Sequence, residues 1–172
     1  MAIRSIIEYP DPRLREHSEP VKSFDETVER TANDLIDTLH STRSIGLSAP
    51  QIDDRRQILV MDHSEDQSMP EVFINPEVLG RGRFGFVEER CLSVPDMSVL
   101  VWRPTKILIR ARRIDGEVIE QSLSGMPAVC LQHEMDHFIG KLLTDRMNWF
   151  KRRRMLKALQ QARGPEQGTS DS

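Results

Sequence analysis

Residues 132–138 read QHEMDHF, and the spacing of His133 and His137 is the strongest constraint this sequence places on its own fold. On a helix, four residues bring a side chain back to the same face one turn further along, so both imidazoles point the same way. Two imidazoles rarely hold a catalytic ion alone, so another element must lie opposite this helix and bring a third donor. Glu134 then stands beside a coordinated water, as in the H-E-x-x-H helices of metal enzymes. Pro127 suits the first turn of such a helix and Gly140 its end. A solvated surface helix with two histidines is the plain alternative. The pattern by itself leaves the reaction open, because zincin-type endopeptidases use the same pair.

Few residues can be the third donor. His17, His40 and His63 sit in polar, loop-like or helix-end contexts and read as surface histidines. Cys130 lies three residues before His133, but one helix cannot wrap three ligands around an ion, so it reads as a small buried residue. Cys91, in VEERCLSVPD, follows a strand-like run and precedes a Pro-containing loop, where a thiolate can project toward the helix. An ordinary buried cysteine is the competing reading.

The rest of the chain predicts an α+β domain, with antiparallel strands around the metal-binding helix and further helices near the N- and C-termini. Ser23 and Glu26 form an S-x-x-E capping pattern, and Val28, Ala32, Leu35, Ile36 and Leu39 then recur at helical spacing. STRSIGLSAPQ reads as loop. QILVMD (57–62), EVFINPEVLG, RFGFVEE, TKILIRARR and EVIEQSL read as strands, with a hairpin turn at Asp115-Gly116. A last helix is expected over about 145–162, with Phe150, Leu156 and Leu159 on its apolar side. The domain spans 1–163, and 164–172 reads as a disordered tail. A net charge of −3 over 172 residues points to neither DNA nor a membrane surface, and no apolar run is long enough for a span. Two cysteines form no disulfide framework, and the N-terminus lacks a signal peptide's apolar stretch, so a cytoplasmic setting is expected.

Three blocks, in this order, resemble the peptide deformylases. IGLSAPQ (45–51) is similar to the family's G-x-G-L-A-A-P-Q, ERCLS (89–93) to E-G-C-L-S, and QHEMDHFIG (132–140) to Q-H-E-x-D-H-L-x-G. The opening YPDPRL also resembles that family, and the likeness runs to about residue 160. It implies a divalent metal held by Cys91, His133 and His137, with Fe2+ as the native ion and Zn2+, Ni2+ or Co2+ as occupants after purification. It implies hydrolysis of the N-formyl group from the initiator methionine of nascent polypeptides, releasing formate. Glu134 would serve as general base and then general acid. The Gln51 amide and the Leu92 backbone N–H would face the oxyanion. Ile45, Gly46, Leu47, Glu89 and Arg90 would line the substrate, while Gln132 and Asp136 would orient the ligands from behind. The basic run FKRRRMLK (150–157) would meet ribosomal RNA phosphates, and the protein would act as a monomer.

The sequence departs from the pattern at Arg90, where the family has Gly. If that position needed a positive φ, Arg would be strained there. In the milder reading, which is preferred, Arg90 points to solvent and only its carbonyl meets substrate; in the sharper one it brings a cation to the substrate path, with altered or lost activity and nascent-chain binding retained. Ser44 and Ser48 replace small residues, and Phe138 replaces Leu.

Overall fold

The computed structural model describes residues 2–147, 149, 150, 152–154 and 157, with the side chain of Asp96 excepted. The fold is α+β. Its sheet has five antiparallel strands, β1 (Gly46–Ser48), β2 (Ile58–Met61), β3 (Glu71–Cys91), β4 (Val94–Arg112) and β5 (Val118–Ser124), paired in chain order. Two helices cover it, α1 (Glu26–Thr42) and α2 (Met126–Phe138).

Why β2 is an unbroken apolar run follows from this layering. Its four residues are all buried. Ile58 and Val60 pack with Leu35 and Leu39 of α1, while Leu59 and Met61 pack with Ala128 and Leu131 of α2. A strand buried on both faces needs apolar residues at every position rather than at alternate ones. The helical stripe read from the sequence is the buried face of α1, with Val28, Ala32, Leu35 and Leu39 all inside.

The start of α1 differs from expectation. Asp25, not Ser23, is the cap, and its carboxylate accepts from the backbone N–H groups of Thr27 at 2.9 Å and Val28 at 3.4 Å. Ser23 donates its hydroxyl to Asp25 at 3.3 Å instead. An ionised carboxylate is the stronger acceptor for amides at the positive end of a helix. At the other end Arg43 adopts a left-handed conformation, φ 53 and ψ 29, where Gly is the usual residue.

Three further stretches also differ. The expected loop 41–51 contains β1 and a 3₁₀ turn, Ala49–Ile52. The runs read as two strands form one, β3, whose register slips between Ile74 and Glu77 and again between Val78 and Gly80. Pro76 lies in the first slip, where a missing N–H costs no ladder bond. The segment after Cys91 is not a Pro-containing loop: only Leu92 and Ser93 turn, Cys91 pairs with Val94, and Pro95 lies within β4. The first half of β4 escaped notice because both of its faces are apolar. Val99 and Val101 are buried while Leu100 and Trp102 are exposed, which erases the alternation.

α2 ends where Gly140 takes φ +64. A Cβ there would fall 2.3 Å from the Arg15 carbonyl oxygen, so only Gly fits. Beyond it, Leu143–Arg146 is a 3₁₀ turn rather than the first turn of the expected last helix. Helical conformation resumes at Trp149 and Phe150 and holds at residues 152–154 and 157. Phe150 is 77% exposed, so it packs on no core. Leu156, Leu159 and the expected tail at 164–172 lie outside the described residues.

Candidate metal centre

The site forms where the end of β3 crosses α2. Alternate residues of a strand share a face, and a two-residue step covers about 6.7 Å. Four residues of helix rise about 6 Å. Glu89 and Cys91 on β3 therefore match His133 and His137 on α2 in register. Glu89 accepts from His133 Nδ1 at 2.9 Å, and Cys91 Sγ lies 3.3 Å from His137 Nε2. The ligand atoms of Cys91, His133 and His137 all fall within 4.8 Å of one another, and all three residues are buried.

This donor set fits a metal. Bonds of about 2.0–2.3 Å place the ligand atoms of a tetrahedral site about 3.3–3.8 Å apart, which the Cys91–His137 separation matches. Burial, with the charges of His133 and Arg103 nearby, pushes the His137 pKa well below its ordinary value. His137 is thus kept neutral, with a lone pair available to a cation. Burial also opposes charge on His133, but Cys91 and Glu89 outweigh it and raise its pKa well above the usual value. With a carboxylate at Nδ1 and a sulfur on its other side, this ring lies where positive charge is welcome, and a divalent cation binding at Nε2 would release the proton there.

Behind the ligands runs a chain of buried charge. Arg103, 3% exposed, gives its Nε and one terminal nitrogen to the two oxygens of Glu89, and donates to Asp136 at 2.8 Å. Arg146 closes the far side of Asp136 at 2.8 and 3.0 Å. Burial works against the charge on Glu89, yet His133 and Arg103 hold its pKa below the ordinary carboxylate value. Glu89 therefore stays ionised and fixes the proton of His133 on Nδ1, leaving Nε2 for the cation.

Glu134 faces the other side of the site. Burial pushes its pKa up, and its Oε2 lies 2.8 Å from the Ser48 hydroxyl. That hydroxyl also lies 2.9 Å from Gln51 Oε1. With one proton to give, Ser48 serves Glu134 when the acid is ionised and Gln51 when it is not. Gln51, 1% exposed, turns its amide nitrogen to Ser93 Oγ at 3.1 Å and to Cys91 Sγ at 3.9 Å. Leu92, half-buried, opens the turn directly after Cys91.

Gly46 is more than a turn residue. A Cβ there would lie 2.4 Å from Cys130 Sγ and 3.0 Å from Glu134 Oε1, so β1 approaches α2 as closely as it does only because that atom is missing. A 340 Å³ cleft opens at this point onto His133 and Glu134. Ile45, Met126 and Val129 line its apolar side, and Arg43, Glu88 and Arg90 also line it.

The other sequence-derived positions fall as follows. Leu47 is fully buried, so only its main chain can meet a ligand. The Glu89 side chain, expected to line substrate, is committed to His133 and Arg103 instead. Gln132 touches no ligand: its amide donates to the carbonyls of Pro104 and Ala128 at 2.9 and 2.7 Å, pinning α2 to β4. Asp136 acts on His133 only through Arg103 and Glu89. Arg90 is exposed and absent from the residues of positive φ, so the feared backbone strain does not arise. Sequence reasoning missed Arg103 and Ser93 altogether. An arginine at an inward position of a strand would have signalled the first, had β4 been read as a strand from its start.

The family model described as polypeptide deformylase matches residues 3–153. A peptide deformylase of Azotobacter vinelandii is 42% identical over 161 residues, spanning 93% of this chain and 96% of that one. One from Hamiltonella defensa is 39% identical over 160 residues, with 93% and 94% covered. The crystal structure of a peptide deformylase from Legionella pneumophila superposes with a TM-score of 0.87 at 38% identity, covering 96% of this chain and 99% of that one.

Proposed function

The chain belongs to the peptide deformylase family, a metal-dependent hydrolase removing N-formyl groups from nascent polypeptides, and on that premise we propose a role for each residue of the site. Cys91, His133 and His137 would hold the metal, which when bound would supply Lewis acidity for the formyl carbonyl and for the attacking water. Glu134 accepts the water's proton and delivers it to the departing amine nitrogen. Its burial supports this, because raising the pKa of a carboxyl makes the carboxylate a stronger proton acceptor. The Gln51 amide and the Leu92 N–H face the oxygen on which negative charge develops. Gln51 is pre-oriented for that task by the hydroxyl of Ser93 and the backbone N–H of Ser48.

Substrate lies along residues 45–47 and 89–90. β1 is the end strand of the sheet, and an end strand offers free main-chain groups to an extended peptide. The methionine side chain fills the apolar part of the cleft beside Ile45, Met126 and Val129.

Fe2+ is the native ion in this reading. Zinc outcompetes iron for nitrogen and sulfur ligands, so Zn2+, Ni2+ or Co2+ enters during ordinary purification. The enzyme works as a cytoplasmic monomer; among the described residues no helix is long and apolar enough to cross a membrane. Arg154 and Lys157, exposed on the C-terminal helical segment, meet ribosomal RNA.

The observation that carries the reading is the register match that brings Cys91 against His137 while Glu89 holds His133. Formate release from formyl-Met-Ala-Ser, measured together with metal content, tests it. Cys91→Ala loses both metal and turnover. Glu134→Gln keeps the metal and loses roughly a hundredfold or more in kcat. A Cys91→Ala protein that keeps metal and cuts internal peptide bonds would refute the assignment in favour of an endopeptidase.

A further inference from the structure

Two arginines at the mouth of the cleft have no role in the chemistry above. Arg43 and Arg90 come from different elements, the end of α1 and the end of β3, yet both line the cleft that opens onto His133 and Glu134. Arg90, with Ser44, also lines an adjoining cleft of 510 Å³ beside Leu92, Pro95 and Met97. Arg90 and Ser44 thus border both clefts.

Both side chains are exposed, and neither makes an ion pair among the described residues. The carboxylates nearby are turned to other groups: that of Glu88, which lines the same cleft, accepts the hydroxyl of Ser98 at 2.6 Å and pairs with neither arginine. Glu89 is spent on Arg103 and His133. Glu134 lies at the buried end with Ser48. Arg43 also holds a left-handed backbone at φ 53, a position where Gly or Asn would sit without strain. A strained residue bordering a binding cleft invites a functional explanation.

We propose that Arg43 and Arg90 form a cationic gate that favours substrates with acidic side chains in the residues just after the formyl-methionine. The proposal rests on the deformylase reading, which sets the direction in which the peptide lies. A carboxylate leaving the first cleft passes between the two guanidinium groups, whereas a lysine there meets like charge. Each contact is solvent-exposed and therefore weak and salt-sensitive.

The test compares kcat/KM of the metal-loaded enzyme on formyl-Met-Ala-Asp-Ala-amide and formyl-Met-Ala-Lys-Ala-amide. The amide removes the terminal carboxylate, so only the side chain differs; a third peptide, formyl-Met-Ala-Ala-Ala as the free acid, tests whether a chain terminus engages the same cations. The acidic peptide is favoured by roughly three- to tenfold at low salt, and the ratio falls toward one at 0.5 M salt, where the Debye length shrinks to about 4 Å. Arg43→Asn with Arg90→Gly flattens the ratio, and Arg90→Glu inverts it. Equal kcat/KM for the two amides at low salt overturns the gate while leaving the deformylase reading intact, as does a ratio the variants do not change. A preference confined to the free acid also overturns it. Turnover of none of the peptides overturns both readings together.

Discussion

At the scale of single residues, the site is a study in how closely two backbones can approach. Gly46 allows β1 to lie against α2, and one added methyl group collides with Cys130 Sγ and crowds Glu134. Gly46→Ala is therefore expected to cost about 1–3 kcal/mol in stability and to lower kcat by displacing Glu134. Removing the sulfur relieves the worst of the clash, so Gly46→Ala with Cys130→Ala recovers part of the stability. Urea titrations of the single and double variants give the coupling directly, and independent, additive losses would contradict this account of Gly46. Cys130 itself stays a thiol: burial, with Glu134 and Glu89 nearby, raises its pKa well above the ordinary value.

Among elements, the junction between α1 and β2 depends on Asp54. Its carboxylate accepts from the Thr31 hydroxyl at 2.9 Å and from Arg56 at 2.6 and 3.0 Å. Burial would raise its pKa, but these donors win and lower it below the ordinary 3.8. A depressed folded-state pKa contributes stability above the unfolded value and loses it as pH falls through the folded one. The stability gap between the protein and Asp54→Asn is thus expected to be full from neutral pH down to about 4, and to shrink below 3.8 as the carboxylate protonates. Denaturant midpoints across that range measure it, and a gap that grows in acid would reverse the assigned sign. The elements also show what the sequence could carry. The helices, β2 and β5 were legible because each buries a face of regular period or both faces at once. The first half of β4 was not, because its exposed Leu100 and Trp102 mimic a core face. The ligand set was legible through three short blocks, yet Glu89 and Arg103 behind it were not. Their partnership exists only once β3 and β4 pair and turn both side chains toward α2, a relation between strands that no local pattern encodes.

For the molecule as a whole, the metal ligands join the last residue of β3 to the middle and end of α2, and so cross-link the sheet to the helix that covers it. A ligand that binds only the folded chain stabilises it by mass action, about 4 kcal/mol when present at a thousand times its dissociation constant. Chelation is accordingly expected to lower Tm by several degrees, and added Zn2+ or Fe2+ to restore it. Calorimetry on the Cys91→Ala protein supplies the control, since its Tm should not respond to either treatment. Because the strands pair in chain order and α2 follows them all, vectorial synthesis delivers the sulfur of Cys91 well before either imidazole. Until α2 folds over the sheet, the sulfur has no imidazole beside it, so the three-residue ligand set comes together only in the last step of folding.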